Sequence, residues 1–374
     1  MNPKSFYKKG KIVIGLGFGD EGKGNFTSYL CSNSKNPIVV RFSGGQQAGH
    51  TVMFNGVKHI FSNFGSGSLQ NIPTYFTEHT CLYINNIDIE KNILEKLGFS
   101  PVLYVHPKAK ITTPYDIIYG RIIEKINRFG SCGLGVGSTM YRYDYTTYKL
   151  YAIDFLYEHI LIEKLNKINE YYRNKATENG FLDEYLRMVN EEGGICEQYY
   201  GLISKKLFEI KNYDILDNYD TIVFEGSQGI LLDMDHGVFP NVTYANTTSK
   251  NAIEICKKLS IIPEIYYITR CYQTRHGNGW VSNYKKVDLI NTDEEINIFN
   301  EWQGNLKTFE IDYDLINYSI LTDCIYNDTD NINLVVTCLD QIPDFKFDYD
   351  KINFKFNGIF NSFSPESTLI FKRS

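Results

Sequence analysis

The sequence predicts an α/β fold with a mostly parallel central sheet, helices on both faces of that sheet and a P-loop-like phosphate-binding turn. Two observations lead to this prediction: short apolar runs alternate with helical segments, and glycine-rich turns follow several of the apolar runs. Strands that alternate with helices form parallel sheets whose two faces are both covered. Ligands bind such sheets beyond the carboxyl ends of the strands, so the glycine-rich turns are the places to look for a site.

The apolar runs and the helical periodicity place the elements in chain order. Strands are predicted at 11–16, 37–42, 102–105, 221–224, 264–272 and 333–338. Helices are predicted at 25–31 and 115–127, and the stretch from 154 to 211 is helical by pattern because its charges are spread between apolar positions. No repeat or low-complexity linker divides the 374 residues, so we expect one domain, 1–374, with a helical insertion at about 155–215.

The composition excludes several classes of protein. Its 38 Lys and Arg against 44 Asp and Glu give a net charge of −6, which argues against a protein that mainly grips nucleic acid, because such binding depends on clustered cations. The eight cysteines are scattered without a Cys-x-x-Cys pair, so we expect neither a cysteine metal site nor a disulfide framework. No apolar run approaches the ~20 residues of a membrane span, and the amino-terminal segment is a poor signal peptide. We therefore expect a cytoplasmic protein without a membrane partner.

The first predicted strand is followed by Gly-Phe-Gly-Asp-Glu-Gly-Lys-Gly at 17–24 and then by a helix. This nearly fits the P-loop pattern, in which backbone N–H groups cradle phosphate and the lysine, here Lys23, reaches its oxygens. Gly24 stands where a P-loop has the Ser or Thr that holds magnesium. Asp20 and Glu21 would repel phosphate unless a cation or a proton transfer compensated, so they predict a metal ligand or a general base. The alternative is a glycine turn with a solvated acidic pair.

Two further polar segments follow predicted strands. The segment 43–51 contains three glycines, and His50 and Thr51 end it. A lone histidine in a loop is more often structural, but at the end of an adjacent strand His50 would face the first turn. The segment 224–243 again places glycine-rich polar residues after a β-branched run. A turn followed by an ordinary packed hairpin remains the alternative for this third segment.

Together these three segments resemble the adenylosuccinate synthetase family. The family signature Gly-Asp-Glu-Gly-Lys-Gly stands at 19–24, Gly-Gly-x-x-Ala-Gly-His-Thr stands at 44–51, and the long motif that begins Phe-Glu-Gly-x-Gln-Gly stands at 224–243. Weaker matches lie at 130–137, 274–279 and 337–340. The motifs keep the family's order and span about 11 to 370 of the chain.

The resemblance implies a homodimeric ligase that uses GTP and Mg²⁺ to join L-aspartate to C6 of IMP through a 6-phosphoryl intermediate. It implies that Asp20 takes the proton from N1 of the purine, that His50 is its acid partner, and that Gln228 completes the catalytic set. It implies that GTP is bound by Gly19, Glu21, Gly22, Lys23, Gly24, Asn25, Gly49, Thr51 and Asp340, the last reading the guanine edge. It implies substrate contacts from Gln47, Ser131, Cys132, Thr243 and Arg275, and magnesium ligands at Asp20 and Gly49.

The chain also departs from the family pattern. Cys338 replaces the lysine of the family's guanine motif. The family holds the aspartate carboxylates with a loop that carries a run of arginines, and the matching segment 300–309 has one lysine. Arg275 or Arg270 could compensate. The family has an arginine that contacts the IMP bound to the partner subunit. In this chain Arg142 lies a few residues before the matching position. The alternatives are therefore a family ligase acting on another purine nucleotide such as dGMP or on another amine, or a non-catalytic GTP-binding relative.

Overall fold

The computed structural model describes residues 8–128, 130–277, 279–290, 299–300 and 304–373. The strands are β1 (Lys9–Gly15), β2 (Pro37–Arg41), β3 (His50–Phe54), β4 (Val57–Phe61), β5 (Thr74–Phe76), β6 (Cys81–Leu82), β7 (Leu103–Val105), β8 (Lys110–Ile111), β9 (Glu209–Ile210), β10 (Thr221–Gly229), β11 (Ile262–Arg270), β12 (Tyr272–Arg275), β13 (Phe299–Asn300), β14 (Gly304–Asn305), β15 (Lys307–Glu310), β16 (Ile332–Thr337), β17 (Gly358–Ser362) and β18 (Ile370–Lys372). The α-helices are α1 (Lys23–Ser32), α2 (Ile84–Lys96), α3 (Pro114–Asn127), α4 (Val136–Tyr145), α5 (Glu158–Glu178), α6 (Leu182–Glu192), α7 (Ile195–Ser204), α8 (Lys250–Leu259) and α9 (Tyr313–Asp323).

A ten-stranded sheet in the order β18-β17-β16-β11-β1-β10-β2-β5-β7-β9 forms the centre of the molecule. Its neighbours pair in parallel, except that β18 runs antiparallel to β17. The prediction of a mostly parallel sheet is therefore confirmed. β1 lies between β10 and β11, so the turn that follows β1 emerges at the middle of the sheet.

Alternate residues of β1 enter two different cores, because successive side chains of a strand point to opposite faces. Ile12 and Ile14 pack in a cluster with Ile253 of α8 and Ile316 of α9. Val13, between them, packs in a second cluster with Phe26 of α1. Both faces of the sheet are thus covered by helices, as predicted from the alternation of strands and helices.

Most predicted elements are present, and one strand was predicted wrongly. The run at 264–272 was expected to be a single strand, whereas the chain breaks at Cys271 between β11 and β12. β12 leaves the large sheet and pairs antiparallel with β15. The apolar pattern continues across the break because Cys271 and Tyr272 are both buried, so hydropathy alone could not show it.

The stretch that was expected to be a helical insertion at 155–215 is helical over α5, α6 and α7. The helical prediction is wrong at Glu209–Ile210, which form β9 and pair in parallel with β7 at the edge of the large sheet. The buried residues of the stretch, among them Leu161 and Tyr185, join one core with residues of β5 and α3. Its status as an insertion stays a prediction. Of the helices that the structure describes, none combines the length and apolar character that a bilayer span requires.

A buried ion pair ties α3, α4 and α5 together. Asp116 ends a capping box with Thr113 at the start of α3, and its carboxylate accepts hydrogen bonds from Arg142 Nε and Nη2, each at 2.9 Å. Tyr172 of α5 donates to the same carboxylate at 2.6 Å. Arg142 is fully buried, so its guanidinium serves the helical core.

Replacing Arg142 with Met is expected to lower the free energy of unfolding by about 3–5 kcal/mol, because Asp116 would keep a buried charge without its partner. Urea denaturation measures the change. The matched control is Arg187→Met, which removes the exposed pair between Arg187 and Glu191 and should cost less than about 1 kcal/mol. Equal decreases in the free energy of unfolding of the two variants would show that burial does not determine how much the Arg142–Asp116 pair contributes to stability.

Candidate active site

The turns after β1, β2 and β10 meet at one edge of the sheet, because these three strands are neighbours and run parallel. They border a cavity of about 950 Å³. Of the predicted site residues, the cavity is lined by Asp20, Glu21, Gly22, Lys23, Gly24, Asn25, Gln47, Gly49, His50, Thr51, Ser131, Cys132, Gln228, Thr243, Arg275 and Asp340. Gly19 does not line it: its N–H donates to Glu21 Oε1 and its carbonyl accepts from Thr274 Oγ1. Because Gln228 and Thr243 line the cavity, the alternative of an ordinary packed hairpin at 224–243 does not hold for these two residues.

Glu21 supports the turn from inside. Its Oε1 accepts hydrogen bonds from the N–H groups of Gly17 at 3.0 Å and Gly19 at 2.8 Å. Its Oε2 accepts from Lys23 Nζ at 2.5 Å, and both side chains are buried. The Glu21 carboxylate is thus used within the turn, and the part of Glu21 in a phosphate site stays a prediction.

The missing P-loop hydroxyl at position 24 has a steric reason. A Cβ on Gly24 would lie 2.9 Å from His50 Cβ and 3.0 Å from Ser66 Oγ. Neither Ser nor Thr therefore fits, since His50 occupies the space beside the start of α1. The side chain of the next residue, Asn25, is also committed elsewhere: it donates to Pro365 O at 2.6 Å and accepts from Met53 N at 3.0 Å.

His50 is held by two hydrogen-bond acceptors. Its Nδ1 lies 2.6 Å from Glu225 Oε1 and its Nε2 lies 3.1 Å from the Ser227 carbonyl oxygen. A carboxylate and a carbonyl can only accept, so both contacts are hydrogen bonds only when both ring nitrogens carry protons. Both ring nitrogens of His50 therefore face acceptors, an arrangement that suits a proton donor. This agrees with the acid role that the resemblance implies, and it is reached from separate evidence.

Glu225 is a site residue that sequence reasoning missed. It is fully buried on β10 and also accepts hydrogen bonds from the N–H and the hydroxyl of Ser66. Burial opposes its charge, but the cations His50 and Arg41 hold the pKa of Glu225 below its ordinary value. The available signal was a carboxylate between apolar strand residues and a glycine, since a buried acid requires a partner.

Glu225→Gln should make the protein less sensitive to acid. A carboxyl whose pKa is lowered on folding contributes stability that is present above its unfolded pKa of about 4.3 and is lost as the pH falls through the folded pKa. The free energy of unfolding of the wild type should therefore exceed that of Glu225→Gln most at neutral pH, and the gap should narrow below about pH 5. Urea denaturation at a series of pH values measures it. A gap that stays constant down to pH 3 would contradict the assignment of Glu225 as a charge stabilised by folding.

Asp20 stands in a strained position at the tip of the turn, with a φ of 62°. Its Oδ2 lies 2.7 Å from His276 Nε2, and its carbonyl accepts a hydrogen bond from Arg270. Burial opposes ionisation, but the hydrogen bond and charge of His276, followed by the charge of Arg270, hold the pKa of Asp20 below its ordinary value. Asp20 is therefore a carboxylate near neutral pH. His276 was also missed by sequence reasoning, because only the break at Cys271 carries it back to the first turn.

Arg275 lines the cavity although it is only 4% exposed. Its guanidinium lies over the ring of Phe18 at 4.5 Å, and its Nη2 donates to Asn241 O at 3.1 Å. Its Nε and Nη1 find no hydrogen-bond partner among the described residues. Burial lowers the pKa of Arg275 to about 10. The predicted loop 300–309, which was expected to hold the amino acid, is described only in part, since 301–303 lie outside the described residues.

The segment predicted to read guanine follows β16. Asp340 lines the cavity, and its Oδ2 accepts a hydrogen bond from Gln341 Nε2 at 2.8 Å. Cys338 adopts a left-handed conformation with a φ of 59° and also lines the cavity. On the opposite side, Gln46 Nε2 donates to Leu134 O at 2.9 Å and thereby joins the second turn to the loop that carries Ser131 and Cys132.

The donor groups fit a magnesium ion that is held together with a nucleotide. Mg²⁺ in proteins takes one or two carboxylates and fills its remaining positions with water and substrate phosphates. Asp20 supplies a carboxylate and Gly49 a backbone carbonyl beside the same cavity. Within the described ranges, no cluster of three His, Cys, Asp or Glu side chains could hold a metal alone.

Comparison with known proteins gives consistent results. The sequence model of the adenylosuccinate synthetase family matches residues 12–301. The adenylosuccinate synthetase of Clostridium beijerinckii is 31% identical over 291 residues, which cover 72% of this chain and 64% of that protein. That of Thermoplasma volcanium is 34% identical over 276 residues, which cover 72% of this chain and 62% of that protein. The chain thus spans less than two thirds of the length of these curated relatives.

Two solved structures share the fold. The fully ligated adenylosuccinate synthetase from Plasmodium falciparum superposes with a TM-score of 0.75 at 16% identity, over 97% of this chain and 99% of that chain. The succinoaminodeoxyadenylate synthetase of cyanophage S-2L, bound to dGMP and to dATP as an energy donor, superposes with a TM-score of 0.66 at 15% identity, over 98% and 95%.

Proposed function

This chain belongs to the adenylosuccinate synthetase family, and we propose that it is a GTP-dependent ligase that joins L-aspartate to C6 of IMP. The observation that carries the proposal is that the Asp20 carboxylate and the His50 ring, whose two nitrogens contact acceptors, line one cavity. A carboxylate can accept a proton there, and an imidazolium can stabilise negative charge as it develops. The products are adenylosuccinate, GDP and phosphate.

In the first step, Asp20 accepts the proton from N1 of the purine. The electron pair of the N1–H bond moves onto the 6-oxygen, which attacks the γ-phosphorus of GTP. A bond forms between the 6-oxygen and phosphorus, the bond from phosphorus to the β-γ bridging oxygen breaks, and GDP leaves. Such transfers depend mainly on position and on neutralisation of charge. The Nε2–H of His50, which reaches Ser227 O in this structure, is the donor available to the transferring phosphoryl group.

In the second step, the amine of aspartate attacks C6 and the 6-phosphoryl group leaves as phosphate. The amine loses a proton to the departing phosphate as the new C–N bond forms. Gln228 and Thr243, which line the cavity, hold the IMP moiety in this scheme. The N–H groups at the start of α1 and Lys23 bind the phosphates of GTP.

Magnesium belongs to the same proposal. When bound at Asp20 and Gly49, it would neutralise charge on the nucleotide phosphates. Asp20 remains the group that accepts the purine proton, and Lys23, buried beside the turn, remains the fixed cation.

We also propose that the protein acts as a homodimer. Tyr141 and Tyr145 on α4 are 49% and 72% exposed, and α4 directly follows the loop of Ser131 and Cys132. Such aromatic side chains are enriched at protein interfaces. Light scattering at micromolar protein concentration should give twice the chain mass, and a monomer would reject the dimer without affecting the proposed chemistry.

A second candidate is the same chemistry on dGMP or with another amine. It is favoured by Cys338, which removes the stem of the family's lysine from the guanine site, and by the single lysine at 300–309. The phage enzyme of similar fold binds dGMP and uses dATP. The resemblance implies that family ligases acting on dGMP tend to lack the catalytic aspartate. The presence of Asp20 therefore favours IMP.

In the direct test, the purified protein is given Mg²⁺, L-aspartate, one purine nucleoside monophosphate and one nucleoside triphosphate at a time. The products are identified by mass spectrometry. We expect adenylosuccinate from IMP and GTP. Product from dGMP alone would move the assignment to the second candidate. No product from any pairing of four purine nucleotides with twenty amino acids would leave a GTP-binding protein without ligase activity and would reject the proposal.

A further inference from the structure

Arg41, the last residue of β2, is a fully buried cation. Its Nε, Nη1 and Nη2 have no hydrogen-bond partner among the residues that the structure describes. Its guanidinium carbon lies 5.7 Å from the ring centre of Phe76, the residue opposite it on β5. A buried guanidinium without hydrogen-bond partners is costly unless a negative charge lies nearby. The place of Arg41 inside the molecule therefore depends on a neighbouring anion.

Glu225 supplies that anion. The register of β2 and β10 places Arg41 beside Glu225, and side chains at matched positions of neighbouring parallel strands lie on the same face of the sheet. Arg41 Nη1 lies 4.0 Å from Glu225 Oε2, and both side chains are fully buried. The two groups therefore interact as charges, without the two parallel hydrogen bonds of a bidentate pair.

The acceptor sites of the Glu225 carboxylate are used unequally. Oε1 accepts a hydrogen bond from the Ser66 hydroxyl and lies 2.6 Å from His50 Nδ1. Oε2 accepts from the Ser66 N–H at 3.1 Å. Since each carboxylate oxygen has two lone pairs, Oε2 keeps one lone pair, and this oxygen is the one nearer to Arg41. Glu225 thus lies between the cation of Arg41 and the ring of His50.

Arg41 differs from His50 in its access to a ligand. His50 belongs to the described residues that line the cavity, and Arg41 does not. The side chain of Arg41 is also fully buried, so a substrate in the cavity does not touch it. Any effect of Arg41 on a reaction in the cavity therefore has to pass through Glu225.

We propose that Arg41 is a positioning residue for the reaction and acts on His50 through Glu225. The proposal rests on the proposed function, since it gives a residue outside the cavity a part in that chemistry. The buried cation keeps the Glu225 carboxylate charged, and its attraction for Oε2 leaves Oε1 turned toward His50 Nδ1. A charged acceptor binds an N–H group more strongly than a neutral one, so the ring of His50 is held in one orientation at the cavity wall.

The kinetic test compares Arg41→Met with Arg41→Lys. The methionine removes the charge and should lower kcat by about 10-fold, because the hydrogen bond to Glu225 loses the strength that a charged acceptor gives it. The KM values for IMP and GTP should stay within about threefold of the wild type. Arg41→Lys should keep kcat within about threefold, because the contact depends on charge and not on a bidentate fork. An unchanged or higher kcat in Arg41→Met, or equal losses in the two variants, would overturn the proposal.

A double-mutant cycle shows whether the effect passes through Glu225. In the Glu225→Gln background no carboxylate is left to stabilise, so Arg41→Met should change kcat by less than about threefold. A further loss of about 10-fold would show that Arg41 acts independently of Glu225 and would reject the proposal. The double variant leaves neither charge of the pair buried alone, so it should fold. If Arg41→Met alone does not fold, Arg41→Gln is the single variant, with the same expected loss.

A measurement that needs no turnover separates this proposal from the proposed function. Protein labelled with ¹⁵N in its histidine rings gives ring signals for His50, which are assigned by their loss in His50→Asn. Arg41→Met should shift these signals, because the acceptor beside Nδ1 changes. The matched control is Arg142→Met, which removes a buried arginine paired with Asp116 and should leave the signals of His50 in place.

The two possible failures give different results. Signals of His50 that stay in place in Arg41→Met would overturn the link from Arg41 to His50, whatever the enzyme catalyses. Shifted signals in a protein whose wild type forms no adenylosuccinate from IMP, GTP and L-aspartate would reject the proposed function and keep that link.

Discussion

Asp20→Asn is expected to lower kcat of the ligase by about 10²–10⁴-fold, because an amide cannot accept the proton from N1. The variant is nearly isosteric, and its side-chain oxygen can still accept the hydrogen bond from His276 that the wild type makes at 2.7 Å. The fold and the turn should therefore persist. One measurement is steady-state kcat. A second is the exchange of labelled oxygen between the β-γ bridging position and the nonbridging positions of the β-phosphate of GTP, followed with IMP present and no amino acid. GTP affinity is determined separately.

The control for Asp20→Asn is Asp344→Asn, at an exposed acid outside the cavity lining, which should leave kcat unchanged. If Asp20→Asn retained kcat within about threefold, Asp20 would not be the proton acceptor. A lost GTP affinity with unchanged kcat would assign Asp20 to nucleotide binding alone.

His50→Asn is expected to lower kcat by about 10²-fold or more, because the transferring phosphoryl group loses its cationic donor. An amide can replace one hydrogen bond of the ring but carries no charge. The effect should therefore fall on kcat more than on the KM for IMP or GTP. Rates under saturating substrates, compared with a binding measurement for GTP, separate the two.

Glu225→Gln tests the part that the negative charge beside His50 plays in the reaction. Glu225 touches His50 Nδ1 at 2.6 Å and acts through it as a positioning residue. The variant should lower kcat less than His50→Asn does, because an amide can still accept the hydrogen bond from Nδ1 but supplies no negative charge. The KM values for IMP and GTP should stay within about threefold of the wild type. A kcat identical to that of the wild type would show that the charge of Glu225 has no part in the reaction.

The parts of the site that the sequence predicted are those written into contiguous motifs. Gly19 to Gly24 form a turn between a strand and a helix, so their approach to one another needs no tertiary information. Asp20 and His50 line the same cavity because the carboxyl ends of parallel strands share one edge of the sheet. Both predictions depend on local pattern and on one rule of sheet topology.

The parts that the sequence did not predict depend on side-chain direction and on distant pairing. Glu21 points inward because the turn passes through left-handed conformations at Gly19, Asp20 and Gly22, which hydropathy does not encode. His276 and Arg275 reach the cavity only because the chain breaks after β11 and β12 pairs with β15. The sequence also did not predict that Arg142 forms a buried ion pair with Asp116 in the helical core.

The transfer of the purine 6-oxygen to phosphorus tests the central claim most directly. IMP labelled with ¹⁸O at C6 is converted with GTP and L-aspartate, and the released phosphate is examined by mass spectrometry. Attack of the 6-oxygen on the γ-phosphoryl group predicts one ¹⁸O in the phosphate for each adenylosuccinate formed. Unlabelled phosphate, with the ¹⁸O lost to water during product formation, would contradict the account.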